Sequence, residues 1–145
     1  MRGLSALAIL LGGVSDVVLS GILGVPLVLY VVATRGLTRL SGVELESAVT
    51  AALRDSPALY AVQVSIGLGC SILGGFVAAL IAKQRHLLNA VLAAWLCVAI
   101  GVYSLVAGVG ASSVPLQLGS IAVTPLCYLL GAQLRLTISR SRRSP

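Results

Sequence analysis

Four apolar stretches, Leu4–Ala33, Leu59–Ala82, Leu87–Gly108 and Pro115–Leu134, take up most of this 145-residue chain. Each reaches about the 20 residues that an α-helix needs to cross a hydrocarbon layer about 30 Å thick, where every backbone N–H and C=O must be paired within the protein. The expected architecture is therefore all-α: a polytopic membrane protein with four transmembrane helices, residues 1–145 forming a single domain. Composition agrees. Hydrophobic residues make up 58% of the chain, charged residues 10%, and the mean hydropathy is +1.06, whereas a soluble domain carries about 25% charged residues.

The first stretch is longer than a secretory signal core of about 7–15 residues and contains Asp16 and Pro26, so it is read as a retained span. As a straight helix it would measure about 45 Å, and it must tilt, kink near Pro26 or project beyond the bilayer. Asp55 and Ser56 before Pro57 supply a helix start for the second span, and Ser112 and Ser113 before Pro115 do so for the fourth. Between the second and third spans, "KQRH" (Lys83 to His86) only just reverses the chain, which makes those helices antiparallel neighbours. In the longer connector, Ser41 and Glu44 have the spacing of a capping box, and Leu45, Val49, Ala52 and Leu53 share one face. Residues 41–55 should form a short amphipathic helix lying on the membrane with its apolar face down.

Basic residues fix the orientation, because Lys and Arg near short loops are retained in the cytoplasm. Arg2, Lys83, Arg85, Arg135, Arg140, Arg142 and Arg143 fall on the side of the two termini, while Arg35, Arg39 and Arg54 fall opposite, offset by Glu44, Glu46 and Asp55. Both termini are expected to be cytoplasmic. The net charge of +6 then reflects topology and contact with anionic headgroups, and no nucleic-acid partner is expected for the "SRSRR" tail.

Within the second span, residues four apart form two ridges of small side chains: Gly67, Ser71, Gly75 and Ala79, and Cys70, Gly74, Ala78 and Ala82. Small ridges let helix backbones approach closely, and in lipid this packing, more than apolar burial, drives helix association. Gly67, Gly74, Gly75, Ala78 and Ala82 are thus the expected helix-packing positions. The run "GGFVAALIAKQRHLLNA", Gly74 to Ala90, with its paired glycines, basic turn and Asn89-Ala90, resembles an uncharacterised family of small bacterial four-helix inner-membrane proteins with a polar residue in the first span. The resemblance covers spans one to three. It implies a four-helix fold in the bacterial inner (plasma) membrane and implies no activity.

Cys70, Cys97 and Cys127 lack the spacing of a metal or redox site, and His86 stands beside Arg85 with no second ligand in sequence. Neither a nucleophile elbow nor a phosphate-binding glycine loop is present. No enzyme, cofactor or metal site is expected.

The one acid in the first span is Asp16. Counting by four gives Gly12, Asp16, Ser20 and Gly24, so the acid lies on a small-residue ridge that should face another helix. An ionised Asp at mid-bilayer costs about 2.5–3.5 kcal/mol on insertion scales. It should therefore be a neutral acid, or an anion near water, hydrogen-bonded to Ser20 on its own helix or to Ser65 or Ser71 on the second span. Such a residue fits a structural or assembly role, the protein serving as a scaffold or accessory subunit through self-association or a membrane-protein partner. The alternative is a proton- or ion-coupled small transporter using Asp16 as a homo-oligomer, an outline similar in layout to the small multidrug exporters.

The charge asymmetry makes a direct prediction. Cysteines introduced at Ser47 and Ser141 should react with a membrane-impermeant thiol reagent from opposite sides, Ser141 only after the membrane is opened. Labelling of both from one side would rule out the four-span arrangement.

Overall fold

The computed structural model describes residues 4–107 and 114–141, and those residues are helical apart from short connections. The order is α1 (Ala6–Arg35), a single 3-10 turn (Leu37–Arg39), α2 (Gly42–Asp55), α3 (Pro57–Ile81), α4 (His86–Val106) and α5 (Val114–Ser141). Four of these, α1, α3, α4 and α5, are long and apolar enough to cross a membrane.

Local chemistry sets the ends. Ser5 Oγ accepts from Ala8 N at 3.3 Å at the start of α1, which runs unbroken through Pro26 until Gly36 turns left-handed (φ 66°) and returns its N–H to Val32 O. Ser56 and Pro57 start α3, with Leu59 N reaching Ser56 Oγ at 3.5 Å. Two expectations need correction here. Ser41 occupies the cap of α2, yet its side chain makes no capping bond; Gly42 takes a φ of 59°, so the first residue of the helix lacks the geometry a capping box requires. The fourth span does not end at Leu134: α5 continues to Ser141, carrying Arg135 within the helix, because no proline or glycine interrupts residues 132–141. Ser112 and Ser113 lie outside the described residues.

Close contacts give the helix directions. A Cβ on Gly12 would lie 2.7 Å from Ala78 Cβ, and Asp16 meets Ser71, so α1 runs antiparallel to α3. Cys97 meets Tyr128 and Gly101 faces Ile121, so α4 runs antiparallel to α5. At the α3–α4 turn, the fully buried Asn89 acts as a clamp: its Oδ1 accepts from Ser5 N at 2.9 Å, and its Nδ2 donates to Gln84 O at 3.0 Å and Arg85 O at 3.1 Å. The start of α1 is thereby tied to the start of α4. His86 Nδ1 donates to Ala79 O at 2.8 Å across the same turn.

Helix α3 is the central element, packed against α1, α4 and α5. The core is small: Ala78, Ala79, Ala90, Ala93, Ala94 and Ala132 surround Tyr128, the largest fully buried side chain. Against α5 there is no room for a side chain on α3. A Cβ on Gly75 would overlap the Tyr128 carbonyl oxygen and lie 2.6 Å from its Cα, and one on Gly131 would overlap Ile72 O. Gly74 and Gly75 sit against Tyr128, Ala78 sits against Gly12 of α1, and Ala82 is buried, whereas a Cβ on Gly67 would meet nothing within 4 Å.

The amphipathic helix is placed differently from expectation. Val49, Ala52 and Leu53 of α2 are buried with Val31 of α1, and Leu27, Val32, Leu37 and Leu59 pack around them. Its apolar face thus caps the end of α1 and the beginning of α3 instead of turning toward lipid. The tight connections to both helices hold it over apolar side chains already present at that end.

These contacts separate two glycines on one ridge. Gly75→Ala should lower thermal stability in detergent by about 1–3 kcal/mol through overpacking, while Gly67→Ala should be neutral or stabilising by up to about 1 kcal/mol. Thermal unfolding that ranks the two equally would contradict the contact.

Candidate functional site

Backbone proximity creates the site. Gly12 and Gly74 lie so close that a Cβ on Gly74 would be 2.9 Å from Gly12 O. One turn further along α1, Asp16 faces Ser71 of α3, and Tyr128 of α5 enters at the level of Gly74. Asp16 is buried. Its Oδ2 accepts from Tyr128 Oη at 2.9 Å and from Ser71 Oγ at 3.0 Å, and its Oδ1 accepts a longer bond, 3.4 Å, from Ser20 Oγ. Three hydroxyls, one from each of three helices, thus donate to a single side chain.

Tyr128 extends the network. Its hydroxyl lies 3.1 Å from Cys97 Sγ and 3.5 Å from Gly12 O. A phenol has one proton, and the short bond to a carboxylate claims it, so the Cys97 thiol is the donor to Tyr128. The chain Cys97 to Tyr128 to Asp16, with Ser71 joining at Oδ2, links α4, α5, α1 and α3 through one carboxylate.

Beside this network lies a cavity of about 260 Å³ between α1, α3 and α5, lined by Asp16, Ser20, Gln63, Ser71, Ser120 and Thr124 among others. Gln63 Oε1 is buried and has no hydrogen-bond partner among the described residues. The Ser120 and Thr124 hydroxyls donate back along α5, to Gln117 O at 2.8 Å and Ser120 O at 2.9 Å, a habit of Ser and Thr within helices.

Of the polar residues expected around Asp16, Ser20 and Ser71 meet it and Ser65 does not. Ser65 is exposed and donates to Ala61 O of its own helix at 2.8 Å. It lines a separate apolar groove with Leu23, Val62, Ile66 and Leu73. The reason is angular: six residues at about 100° each place Ser65 about 120° from Ser71 around α3. Gly67, one turn before Ser71, borders the cavity where a helix contact was expected, because the neighbouring helices leave open space at that level.

Tyr128, Cys97, Gln63, Ser120 and Thr124 were missed as site residues. A signal for part of this set exists in the fourth span, where Gln117, Ser120, Thr124 and Tyr128 recur at intervals of three or four and make a polar stripe on an otherwise apolar helix. No known protein family, curated protein or solved structure matches the chain.

Removing the phenol hydroxyl while keeping the ring isolates its bond. Tyr128→Phe should cost about 1–2 kcal/mol in detergent unfolding, because Asp16 Oδ2 and the Cys97 thiol each lose a partner. Ser65→Ala should change stability by less than about 0.5 kcal/mol, and comparable losses in the two variants would refute the assignment.

Proposed function

We propose that this chain is a small integral membrane protein of the bacterial inner membrane, both termini cytoplasmic, with a structural or assembly role as a scaffold or accessory subunit of a membrane complex. One observation carries the reading: the single acid within the spans is engaged by hydroxyls from three helices, and a fourth helix joins through Cys97 and Tyr128. Polar groups in lipid commonly hold helices together, and this one links every span. Helix α1 supports an assembly role further. Away from its contacts with α3 and α4 it exposes Leu7, Val14, Val18, Ile22, Val25 and Leu29, a surface for lipid or for a partner helix. The reading assigns no enzymatic activity.

A second reading, proton- or ion-coupled transport by a homo-oligomer, is favoured by the oxygen-lined cavity at Asp16. A carboxylate at the wall of a polar cavity in a membrane span is the arrangement a coupling residue needs.

Substitution at Asp16 separates the two. Asn retains an oxygen that can accept from Tyr128 and Ser71, so Asp16→Asn should keep folding and the mass of the gently extracted complex, while Asp16→Leu should lose about 1–2 kcal/mol. Wild-type protein in liposomes should show no flux driven by a pH gradient. A robust flux abolished in a well-folded Asp16→Asn variant would overturn the structural reading in favour of transport.

A further inference from the structure

Arg135 lies on the interior face of α5. At about 100° per residue it stands about 20° from Tyr128 and about 40° from Gly131 around that helix, and both of those residues are buried against α3. Its height follows from the same contacts. Gly131 meets Ile72 and Phe76 of α3, and α3 and α5 run in one direction, each being antiparallel to α4, so one turn on Arg135 is level with Leu80 in the last turn of α3. The pairing of Cys97 with Tyr128 puts Ala90, near the start of α4, at that level too. Arg135 thus enters the end of the bundle that the α3–α4 turn closes.

The guanidinium meets no counter-charge there. Nε is enclosed and has no partner among the described residues, whereas Nη1 and Nη2, equally unpaired among them, are not enclosed and reach the surface. The chain has four acids. Glu44, Glu46 and Asp55 belong to α2 at the opposite end, and no acid follows Asp55 in the sequence. Asp16 is level with Ser71, nine residues or about 13 Å along α3 from Leu80, and already accepts three hydroxyl bonds. A half-buried cation without an acid is costly unless an anion comes from outside the chain. Lys83 and Arg85, exposed in the turn, raise the same demand.

The position of this end identifies the source of the anion. Helices α3, α4 and α5 are long and apolar enough to cross a membrane, so the polar turn at their shared end stands in the headgroup layer. Leu80 and Leu134, at about the height of Arg135, are exposed and offer apolar surface to hydrocarbon chains. A phosphodiester presents two oxygens to the fork of Nη1 and Nη2, the geometry in which Arg binds phosphate. Nε, sealed by the protein, takes no part in that contact and restrains the side chain behind it.

We propose that the end of α5 and the α3–α4 turn form a binding site for an anionic phospholipid, with Arg135 holding its phosphate, Lys83 and Arg85 flanking the headgroup and acyl chains lying against Leu80 and Leu134. A zwitterionic lipid brings its own ammonium group, which three cations repel, so the site selects a headgroup of net negative charge. It is remote from Asp16 and stands or falls apart from both functional readings above.

The test is thermal unfolding of the purified full chain in detergent micelles, titrated with phosphatidylglycerol, phosphatidylcholine or soluble glycerol phosphate at constant ionic strength. A ligand that binds only the folded state raises Tm in a saturable way. Phosphatidylglycerol should do so, while phosphatidylcholine, which lacks the net charge, and glycerol phosphate, which lacks the chains, should not. Arg135→Gln should raise the half-saturating mole fraction of phosphatidylglycerol about tenfold or more and leave the lipid-free Tm unchanged or higher, since it removes an unpaired cation. Arg39→Gln removes the same charge at the opposite end and should leave the half-saturating mole fraction unaltered. If Arg135→Gln folds poorly, the exposed pair Lys83→Gln with Arg85→Gln carries the decision, with a rise of about threefold or more. Absence of a saturable response to phosphatidylglycerol, an equal response to phosphatidylcholine or glycerol phosphate, equal shifts in Arg135→Gln and Arg39→Gln, or no shift in the double variant would overturn the proposal.

Discussion

The contact of α5 with α3 through Gly75 and Gly131 governs the remainder of the interior. At both glycines the neighbouring backbone occupies the place of a Cβ, so the two helices meet main chain to main chain. Only at this separation does Tyr128 sit in the alanine-lined centre with its hydroxyl reaching Asp16 on a third helix. A single larger residue would push α5 outward by the width of a methyl group and lengthen a 2.9 Å hydrogen bond beyond use. In lipid, where apolar burial gives helices little reason to associate, such close approach is itself the driving interaction.

The same geometry makes an acid tolerable within a span. Burying a carboxylate is costly unless its lone pairs are occupied, and here hydroxyls from Ser20, Ser71 and Tyr128 occupy them. The arrangement is asymmetric. Oδ2 takes both short bonds and serves the packing, while Oδ1, bordered by Ser20, is left with unused capacity next to the cavity.

The two ends of the bundle are closed by different means. At the α3–α4 turn a buried Asn89 gathers three backbone groups, so polar bonding fixes the starts of α1 and α4 together. At the opposite end α2 supplies an apolar plug of Val49, Ala52 and Leu53 over Val31. The cavity reaches from Ser71, midway along α3, to Tyr60 near its first turn, toward the end that α2 covers.

Spans, turns and the inward position of Asp16 could be read from the chain because they depend on local properties: hydropathy over about 20 residues, proline and serine at helix starts, and the four-residue recurrence of Gly12, Asp16 and Ser20. The pairing of Asp16 with Ser20 was equally local, since both stand on one helix face. The choice of Ser71 over Ser65 was partly legible, as helix rotation already separates them by about 120°. Tyr128 as the second partner was not, because 112 residues lie between it and Asp16 and only the glycine contact of α3 with α5 sets its height in the bundle. The burial of α2 against α1 and α3, where pattern alone pointed to lipid, was decided in the same way: an amphipathic face specifies that it must be covered, and tertiary structure specifies by what.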